Sequence, residues 1–419
     1  MSNLRTIILA AGKGIRMQSD RPKVLHPVCN KPIIQYVLDV VRALGVQHIY
    51  MVLGHKSSEV KNILGKEVTV VIQKRLLGTA DAVKITSAHF RNYQGDVLIL
   101  CGDTPLLNQD TIRELIKKHK KTKAVCTFLT EVVENPKGYG RVVRNDKGAV
   151  TAIREDKDAK AEERNIREIN VGVYCFKGND LFTSLKEIKI NLKKKEYYLT
   201  DIIQILIGKG LKVETALTDD HQEGLGVNTR VDLALAESVM RKRILKNFML
   251  NGVTIMDPET TYIQTDVKIG RDTTIRPFTI IENNVRIGNR CLIGPFCRIR
   301  PDTRIGNNVE VGNFTEVSRS KVGDHCFMKH FGFLGDALLG KRVNIGAGVV
   351  TANFDGKMKH VTEISDDAFI GSDSILVAPL RIGRGAVTGA GCVVPSQRNV
   401  PDHGVVAGVP AKLISRRKK

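Results

Sequence analysis

The chain has 419 residues, a formal charge of +21, eight cysteines and no tryptophan. That length suits two domains, each burying its own core. The cysteines are scattered, with no C-x-x-C pair and no zinc-like cluster, and read as reduced, mostly buried thiols. Lys and Arg are dispersed, with small runs at 117–123, 193–195 and 416–419, and no basic stripe alternates with aromatics. A solvated basic surface suited to anionic substrates is therefore expected, and no nucleic-acid partner. The early apolar run from Ile7 to Ala11 is soon interrupted by Lys13 and Arg16, too short for a signal peptide or a membrane span. A soluble, cytoplasmic protein with no membrane partner is expected.

From residue 4 to about 228, strand-like runs at 6–9, 48–53, 68–72, 97–100 and 124–129 alternate with helix-like patterns such as 33–44. This alternation predicts a mostly parallel, Rossmann-like α/β sheet. The first run leads into LAAGKGIRMQSDRPKVL, residues 9–25. Here Ala10, Ala11, Gly12 and Gly14 leave room for backbone N–H groups to approach a polyphosphate in a loop that opens at Leu9, a candidate nucleotide-binding position with them, and Lys13, Arg16 and Lys23 supply counter-charge. Neither the Walker A order nor a clean G-x-G-x-x-G is present, which disfavours a P-loop ATPase and a dinucleotide-binding dehydrogenase. Further on come Gln73, then Leu77-Gly78-Thr79-Ala80, then an apolar run ending in Cys101-Gly102-Asp103. α/β sheets place their ligands at such strand ends, so Asp103 is a candidate metal ligand.

This ensemble resembles the sugar-1-phosphate nucleotidyltransferases. Gly138-Tyr139-Gly140-Arg141, Glu155, the stretch Glu168 to Gly172, Glu196 to Asp201, and Gly226-Val227-Asn228 extend the likeness to the N-acetylglucosamine-1-phosphate uridylyltransferase branch. The resemblance implies attack of a sugar-1-phosphate oxygen on the α-phosphorus of UTP. Arg16 and Lys23 would hold the triphosphate, and Asp103 and Asn228 would hold Mg²⁺. Gln73, Gly78 and Thr79 would read uracil edges, and Gly140, Glu155, Asn170 and Thr200 would bind N-acetylglucosamine-1-phosphate. Taken singly, Asp103 also fits a strand-end turn residue, Glu155 a surface charge and Asn228 a helix N-cap.

Residues 228–249 read as a helix with Leu233, Met240, Ile244 and Phe248 on an apolar face and Arg241, Lys242, Arg243 and Lys246 on the wet one. Domains are expected at 1–228 and 251–419, joined by this helix at 229–250. Beyond it Ile263, Ile269, Ile275, Ile281, Ile287, Ile293, Ile299, Ile305, Val311 and Val317 fall every sixth residue. A helix cannot produce that stride, whereas three short strands per turn can, giving the hexapeptide type of parallel β-helix. Gly270, Gly288, Gly294, Gly306 and Gly312 follow their aliphatic residues and are expected to make the tight turns. The stride shortens by one between Val317 and Val322 and between Leu334 and Leu339, and an excess before Ile364 throws out residues 352–359 as a loop. All three breaks crowd around His330.

Met328 to Asp336 resembles the stretch of the glucosamine-1-phosphate N-acetyltransferases that carries their catalytic histidine, here His330. The resemblance implies a left-handed β-helix, a homotrimer, and acetyl-CoA and glucosamine-1-phosphate as substrates. His330 would serve as base, a role suited to imidazole near neutral pH, with Glu316 orienting its ring. Arg300, Asn344 and Lys359 would bind the sugar phosphate; Asn353, Phe354, Ala347, Ser372 and Ala390 would line the acetyl-CoA side. Ser318, followed by Arg319, stands where that pattern has a phosphate-binding Lys, and Phe333 where it has a Tyr. The first loss removes a cation unless Arg319 swings in, and each costs about 1–3 kcal/mol of substrate binding if uncompensated. These two positions favour the alternative of a single-activity nucleotidyltransferase whose β-helix only trimerises. A non-catalytic nucleotide-sugar sensor is disfavoured by intact Arg16, Lys23 and Asp103.

Overall fold

The computed structural model describes residues 3–192 and 195–416, so part of the basic run at 193–195 and nearly all of that at 416–419 lie outside the described residues. The chain divides into two compact units, Met1–Val239 and Met240–Lys419. Among the described residues, no helix is long and apolar enough to cross a membrane.

The first unit is built on β1 (Leu4–Ala10), β2 (His48–Leu53), β3 (Val68–Ile72), β4 (Asp96–Cys101), β5 (Cys126–Val132), β6 (Gly140–Arg144), β7 (Val150–Arg154), β8 (Glu168–Lys177) and β9 (Val213–Leu217). Their order in the sheet is β9-β5-β8-β4-β1-β2-β3, with β6 paired to β8 and β7 paired in turn to β6. The sheet is parallel across β3, β2, β1 and β4, but β8 runs antiparallel to both β4 and β5. The period-2 alternation of β1 sends Leu4 and Ile8 into one apolar layer and Ile7 into the other. Helices α1 (Ile33–Ala43) and α3 (Gln109–Thr122) cover the first layer; α2 (Thr79–Lys84) and α4 (Asp201–Gly208) cover the second. With both faces covered, the sheet can receive a ligand only at its strand ends, and the phosphate loop leaves the C-terminal end of β1.

Helix α5 spans Arg230–Leu250, two residues later than the pattern suggested. Its buried positions are Ala236, Val239 and Leu245, while the predicted Leu233 and Met240 are only half-buried. Arg241, expected on the wet face, lays its guanidinium 4.3 Å from the centroid of the Tyr262 ring.

The second unit is a parallel β-helix of mostly two-residue strands stacked on three flat faces. Ile275, Ile293 and Val311 lie in register on the first face, Ile281, Ile299 and Val317 on the second, and Ile287, Ile305 and Val322 on the third. These side chains are buried on the axis, so each coil hides one aliphatic row per face from water.

The turn glycines do another job than the one expected of them. The left-handed backbone at the corners falls on Asp272, Phe278, Asn284, Arg290, Phe296, Asp302, Asn308 and Phe314, three residues after each inward aliphatic residue. Of the five predicted turn glycines only Gly294 has positive φ. The others are required by the close approach of the next coil: a Cβ on Gly288 would lie 2.7 Å from the carbonyl carbon of Gly306, and one on Gly270 as close to that of Gly288. The corner phenylalanines Phe278, Phe296 and Phe314 stack, with ring centroids 4.7 and 5.1 Å apart. Gly288→Ala is therefore expected to push two coils apart and destabilise the second unit by about 1–3 kcal/mol. Gly208→Ala, where a Cβ meets nothing within 4 Å, should leave stability nearly unchanged; thermal melts of both variants check the contrast.

Candidate functional site

The phosphate loop turns twice between β1 and α1, in short 3-10 segments at Ile15–Met17 and Lys23–Leu25. Gly14 joins them: its φ of 64° is left-handed, and a Cβ there would lie 2.8 Å from that of Lys23. Ala10 and Ala11 are small because neighbouring backbones crowd them. A Cβ on Gly102 would sit 3.1 Å from the Ala10 Cβ, and Gly102 N–H donates to the Leu9 carbonyl. Gly12 faces open space.

Four of the predicted residues meet at one point. The Lys23 ammonium pairs with Asp103 Oδ2 and donates to Asn228 Oδ1 at 3.1 Å, and Arg16 Nη2 donates to the same Asn228 oxygen at 2.9 Å. The Lys23 and Asp103 side chains are only 14% and 22% exposed, which keeps their attraction from being screened away. Asp103 stands at the end of β4, and its carbonyl accepts from Val227 N–H, bringing the segment that carries Asn228 to that strand.

Asn228 is not the helix N-cap. Thr229 fills that position: its hydroxyl accepts from Asp232 N–H, and the Asp232 carboxylate accepts from the N–H groups of Thr229 and Asn228. This reciprocal cap satisfies the helix end without Asn228, whose Oδ1 is left to face the cations. Two hard oxygens, from Asp103 and Asn228, thus converge on one positive charge. That donor set fits Mg²⁺, which takes one or two protein oxygens and completes its shell with phosphate and water.

The predicted base-reading residues are locked to the predicted sugar-binding segment. Gln73 Nε2 donates to the Gly78 carbonyl at 3.1 Å and to Asp81 at 2.8 Å, so this buried amide shapes the turn as well as lining it. Gly78 has a φ of 100°, and a Cβ there would meet the Tyr197 carbonyl at 2.5 Å. Thr79 Oγ1 accepts from Leu199 N–H, and one residue on, Thr200 Oγ1 donates to Glu155 Oε1 at 2.8 Å. Burial raises the Glu155 pKa despite that hydroxyl. Asn170 lies opposite Gly140 in the ladder and donates to the Tyr174 hydroxyl at 2.6 Å, where β8 loses register and Gly172 turns left-handed. The sequence reading missed the pair from Arg141 to Asp156, 2.8 Å, which braces the Glu155 strand end, as well as Asp232 and Arg230. Only a polar residue standing beside a predicted ligand marks these in the sequence.

In the second unit, His330 is exposed at the corner between the first and second faces. Met328, Ile345, Ile370 and Thr388 are in register, so His330, Ala347, Ser372 and Ala390, each two residues on, stack along that one corner. The Asp373 N–H donates to the Ala347 carbonyl, and the Gly391 N–H to that of Ser372. Across the second face, the opposite corner carries Arg319, Asp336 and Asn353. Arg319 grips Asp336 through Nε and Nη2 at 2.7 and 2.8 Å, and Asn353 donates to the same carboxylate. Lys359 acts on it too, so Asp336 is held below the usual carboxylate range, chiefly by Arg319. The hairpin that bears Asn353, Phe354 and Lys359 is closed by Asp355, which accepts from Lys357 and Met358 N–H and pairs with His360 at 2.7 Å. Asn344 lies on the first face between Phe327 and Phe369.

Two expectations are corrected here. Glu316 does not orient the His330 ring; its carboxylate accepts from Arg300 Nη1 at 2.9 Å, because Arg298 and Glu316 are ladder neighbours and Arg300 is two residues along. Arg319 does not replace the missing lysine, since both arms of its fork are spent on Asp336 and a third nitrogen donates to the Ser318 hydroxyl. Phe333 lies in register with Glu316, and its ring crowds Gly335, where a Cβ would come within 2.6 Å.

Residues 5–222 match the nucleotidyl transferase family model, and residues 266–301 and 284–319 match the bacterial transferase hexapeptide model of six repeats. The chain is 42% identical to the bifunctional protein GlmU of Geobacillus sp. (strain WCH70), over 95% of this chain and 93% of that protein. It is 44% identical to the protein of the same name from Halalkalibacterium halodurans, covering 94% of each. For that of Bacillus subtilis the identity is 42%, over 93% of this chain and 92% of the relative.

Because the Glu155 pKa is raised, folding favours its protonated form; that stabilisation is full below the ordinary value of 4.5 and is lost as pH rises through the folded value. Glu155→Gln keeps the acceptor for Thr200 without the charge. It should melt at a higher temperature than wild type at pH 7.5, by a margin that shrinks as the pH falls toward 4.5, which calorimetry across that range checks.

Proposed function

The chain belongs to the bifunctional GlmU family, and from that premise we propose that it makes UDP-N-acetylglucosamine with two active sites. The β-helix transfers acetyl from acetyl-CoA to glucosamine-1-phosphate, and the α/β unit then transfers uridylyl from UTP to N-acetylglucosamine-1-phosphate, releasing pyrophosphate. The observation that carries the reading is the convergence of Arg16, Lys23, Asp103 and Asn228 at the ends of β1 and β4.

In uridylyl transfer the sugar phosphate oxygen bonds to the α-phosphorus as the bond to the β-phosphate oxygen breaks. Charge neutralisation and alignment supply most of the rate, and no acid or base is needed. Arg16 and Lys23 hold the triphosphate oxygens, with the backbone from Leu9 to Gly14 as cradle. Asp103 and Asn228 would hold Mg²⁺, which when bound supplies further positive charge to the phosphates. The coupling of Thr79 to Leu199 and of Thr200 to Glu155 fixes the distance between base and sugar. Glu155 and Asn170 hold the sugar hydroxyls beside Gly140.

In acetyl transfer the glucosamine nitrogen attacks the thioester carbonyl, the C–S bond breaks, His330 takes the ammonium proton and coenzyme A leaves as its thiol. Arg300, Asn344 and Lys359 hold the sugar phosphate, while Ala347, Asn353, Phe354, Ser372 and Ala390 receive acetyl-CoA. One copy spreads these residues over both corners of the second face and, with Asn344, onto the first. Six residues separate His330 from Asp336, at most about 20 Å of extended chain. A homotrimer closes that gap, a neighbouring copy walling the second side of the site and covering the half-exposed Phe278, Phe296 and Phe314. A cytoplasmic location, where UTP and acetyl-CoA are available, belongs to the same reading.

The full-length protein is assayed with glucosamine-1-phosphate, acetyl-CoA, UTP and Mg²⁺, following free thiol and pyrophosphate separately, and again with N-acetylglucosamine-1-phosphate in place of the first two. Thiol followed by pyrophosphate is expected. Pyrophosphate from the pre-acetylated sugar alone would restrict the protein to uridylyl transfer and make Ser318 and Phe333 the cause. Asp103→Ala should lower pyrophosphate release roughly a hundredfold or more and spare thiol release; His330→Ala should abolish thiol release and spare pyrophosphate release from N-acetylglucosamine-1-phosphate.

A further inference from the structure

The two cations of the uridylyl site sit on separate short turns, and one side chain holds both turns at their ends. Ile15–Met17 carries Arg16 and ends at Met17; Lys23–Leu25 carries Lys23 and is closed by His26. Arg230, the first residue of α5, donates from Nε to the Met17 carbonyl at 3.2 Å and lies with Nη1 3.2 Å from His26 Nδ1. Met17 and His26 are both buried, at 1% and 4% exposure. One helical face farther along, the Glu237 carboxylate accepts from Cys29 N–H at 2.5 Å and holds the left-handed turn that follows. These residues are seven apart, two turns of the same helix, and that helix starts two residues after Asn228.

We infer that Arg230 is a positioning residue for uridylyl transfer, tying the turns that bear Arg16 and Lys23 to the helix start that bears Asn228. The inference rests on the uridylyltransferase reading for its kinetic consequence, but the linkage itself is visible without substrate. Between Gly12 and Lys31 the loop's own backbone hydrogen bonds are the closures of the two turns and a short antiparallel pairing of Val28 with Lys31, so the register of residues 15–26 depends on such outside contacts. A planar guanidinium suits the task, since its fork reaches two acceptors in fixed directions and a lysine reaches one point. The His26 ring can accept because burial, and then Arg230 and Arg21, hold its pKa below the ordinary value and keep it neutral. Arg230 touches no reacting atom in this arrangement; its effect runs through the placement of Arg16 and Lys23, where about 1 Å of error costs on the order of a hundredfold in rate.

The test uses full-length wild type, Arg230→Met, Arg230→Lys, His26→Ala and the Arg230→Met/His26→Ala double variant. Arg230→Met should lower uridylyl kcat at least tenfold with the KM for UTP changing less than threefold, and leave acetyl transfer at the wild-type rate. Arg230→Lys should recover only part of the loss, and the double variant should be no worse than Arg230→Met, because both remove one linkage. Amide hydrogen exchange without substrate supplies the second readout: protection should fall in residues 15–27 while β1 and β4 stay protected. Unchanged exchange at 15–27, or a kcat within twofold of wild type, would overturn the inference. Loss of protection throughout β1 and β4 would also overturn it, by making Arg230 a general stabiliser of the fold. If wild type itself makes no pyrophosphate, the functional reading fails, and the exchange experiment still decides whether Arg230 sets the loop.

Discussion

The geometry at the strand ends of the first unit depends on keeping the Lys23 ammonium against the oxygens of Asp103 and Asn228. Charges this far from water attract strongly and are costly to leave unpaired, so the pair is held only if its neighbours fix the geometry. Three parts of the chain, around residues 23, 103 and 228, deliver the three groups, and each is anchored to the sheet or to a helix end. Asp103 rides on β4, Asn228 is tethered through Val227 to the Asp103 carbonyl, and the Thr229–Asp232 cap leaves the Asn228 side chain uncommitted to the helix. On the proposed reading, a triphosphate entering here would meet cations already oriented, leaving little reorganisation for the reaction.

The second unit reaches rigidity by repetition. Each coil hydrogen-bonds only to its neighbours, so stability accumulates coil by coil and any side chain between coils is felt at once. That constraint explains both the glycines without positive φ and the tolerance of bulky residues at left-handed corners: space is scarce between coils and free outside them. It also accounts for the irregular segments around His330, Asp336 and Asn353, where the stride breaks. Coils shortened to seventeen residues, as from Val311 to Met328, and the twenty-five-residue step from Leu339 to Ile364 release backbone that a regular solenoid would spend on its ladder.

Both architectures were legible because each has a period that burial enforces. Alternation of strand and helix patterns is what a two-sided parallel sheet demands, and a six-residue aliphatic stride fits three flat faces around one axis. The antiparallel β8 was not legible: strand direction leaves no trace in a short apolar run. The faces of α5 were legible only in part: Ile244 and Phe248 pack against the core of the second unit and Lys242 and Lys246 are exposed, but the fully buried positions, Ala236, Val239 and Leu245, are not its most conspicuous aliphatic residues. Among the site residues, those recognised by motif came together around Lys23 and around Glu155. Their supports, Arg230, Asp232 and Asp156, could not be read, because a supporting contact is specified by tertiary distance and not by spacing along the chain.

The corner that carries Asp336 shows how a local substitution propagates in such a structure. With Ser318 fully buried beneath it, Arg319 folds over the serine hydroxyl and closes on Asp336, which Asn353 also engages. A lysine at 318 would add an ammonium to a carboxylate already served by a bidentate guanidinium, so Ser318 and the Arg319–Asp336 pair form one self-consistent arrangement. On the proposed reading, the cost would fall on the sugar phosphate, which would gain no cation from this corner except Lys359. Arg300 is the remaining source, and its Nη1 is held by Glu316, which neutralises part of its charge while fixing its direction. Phe333, which has no hydroxyl, lays its ring against Gly335. On the proposed reading, acetyl transfer would lean on fewer, better-oriented charges, and the burden of binding would shift toward Arg300, Asn344 and Lys359.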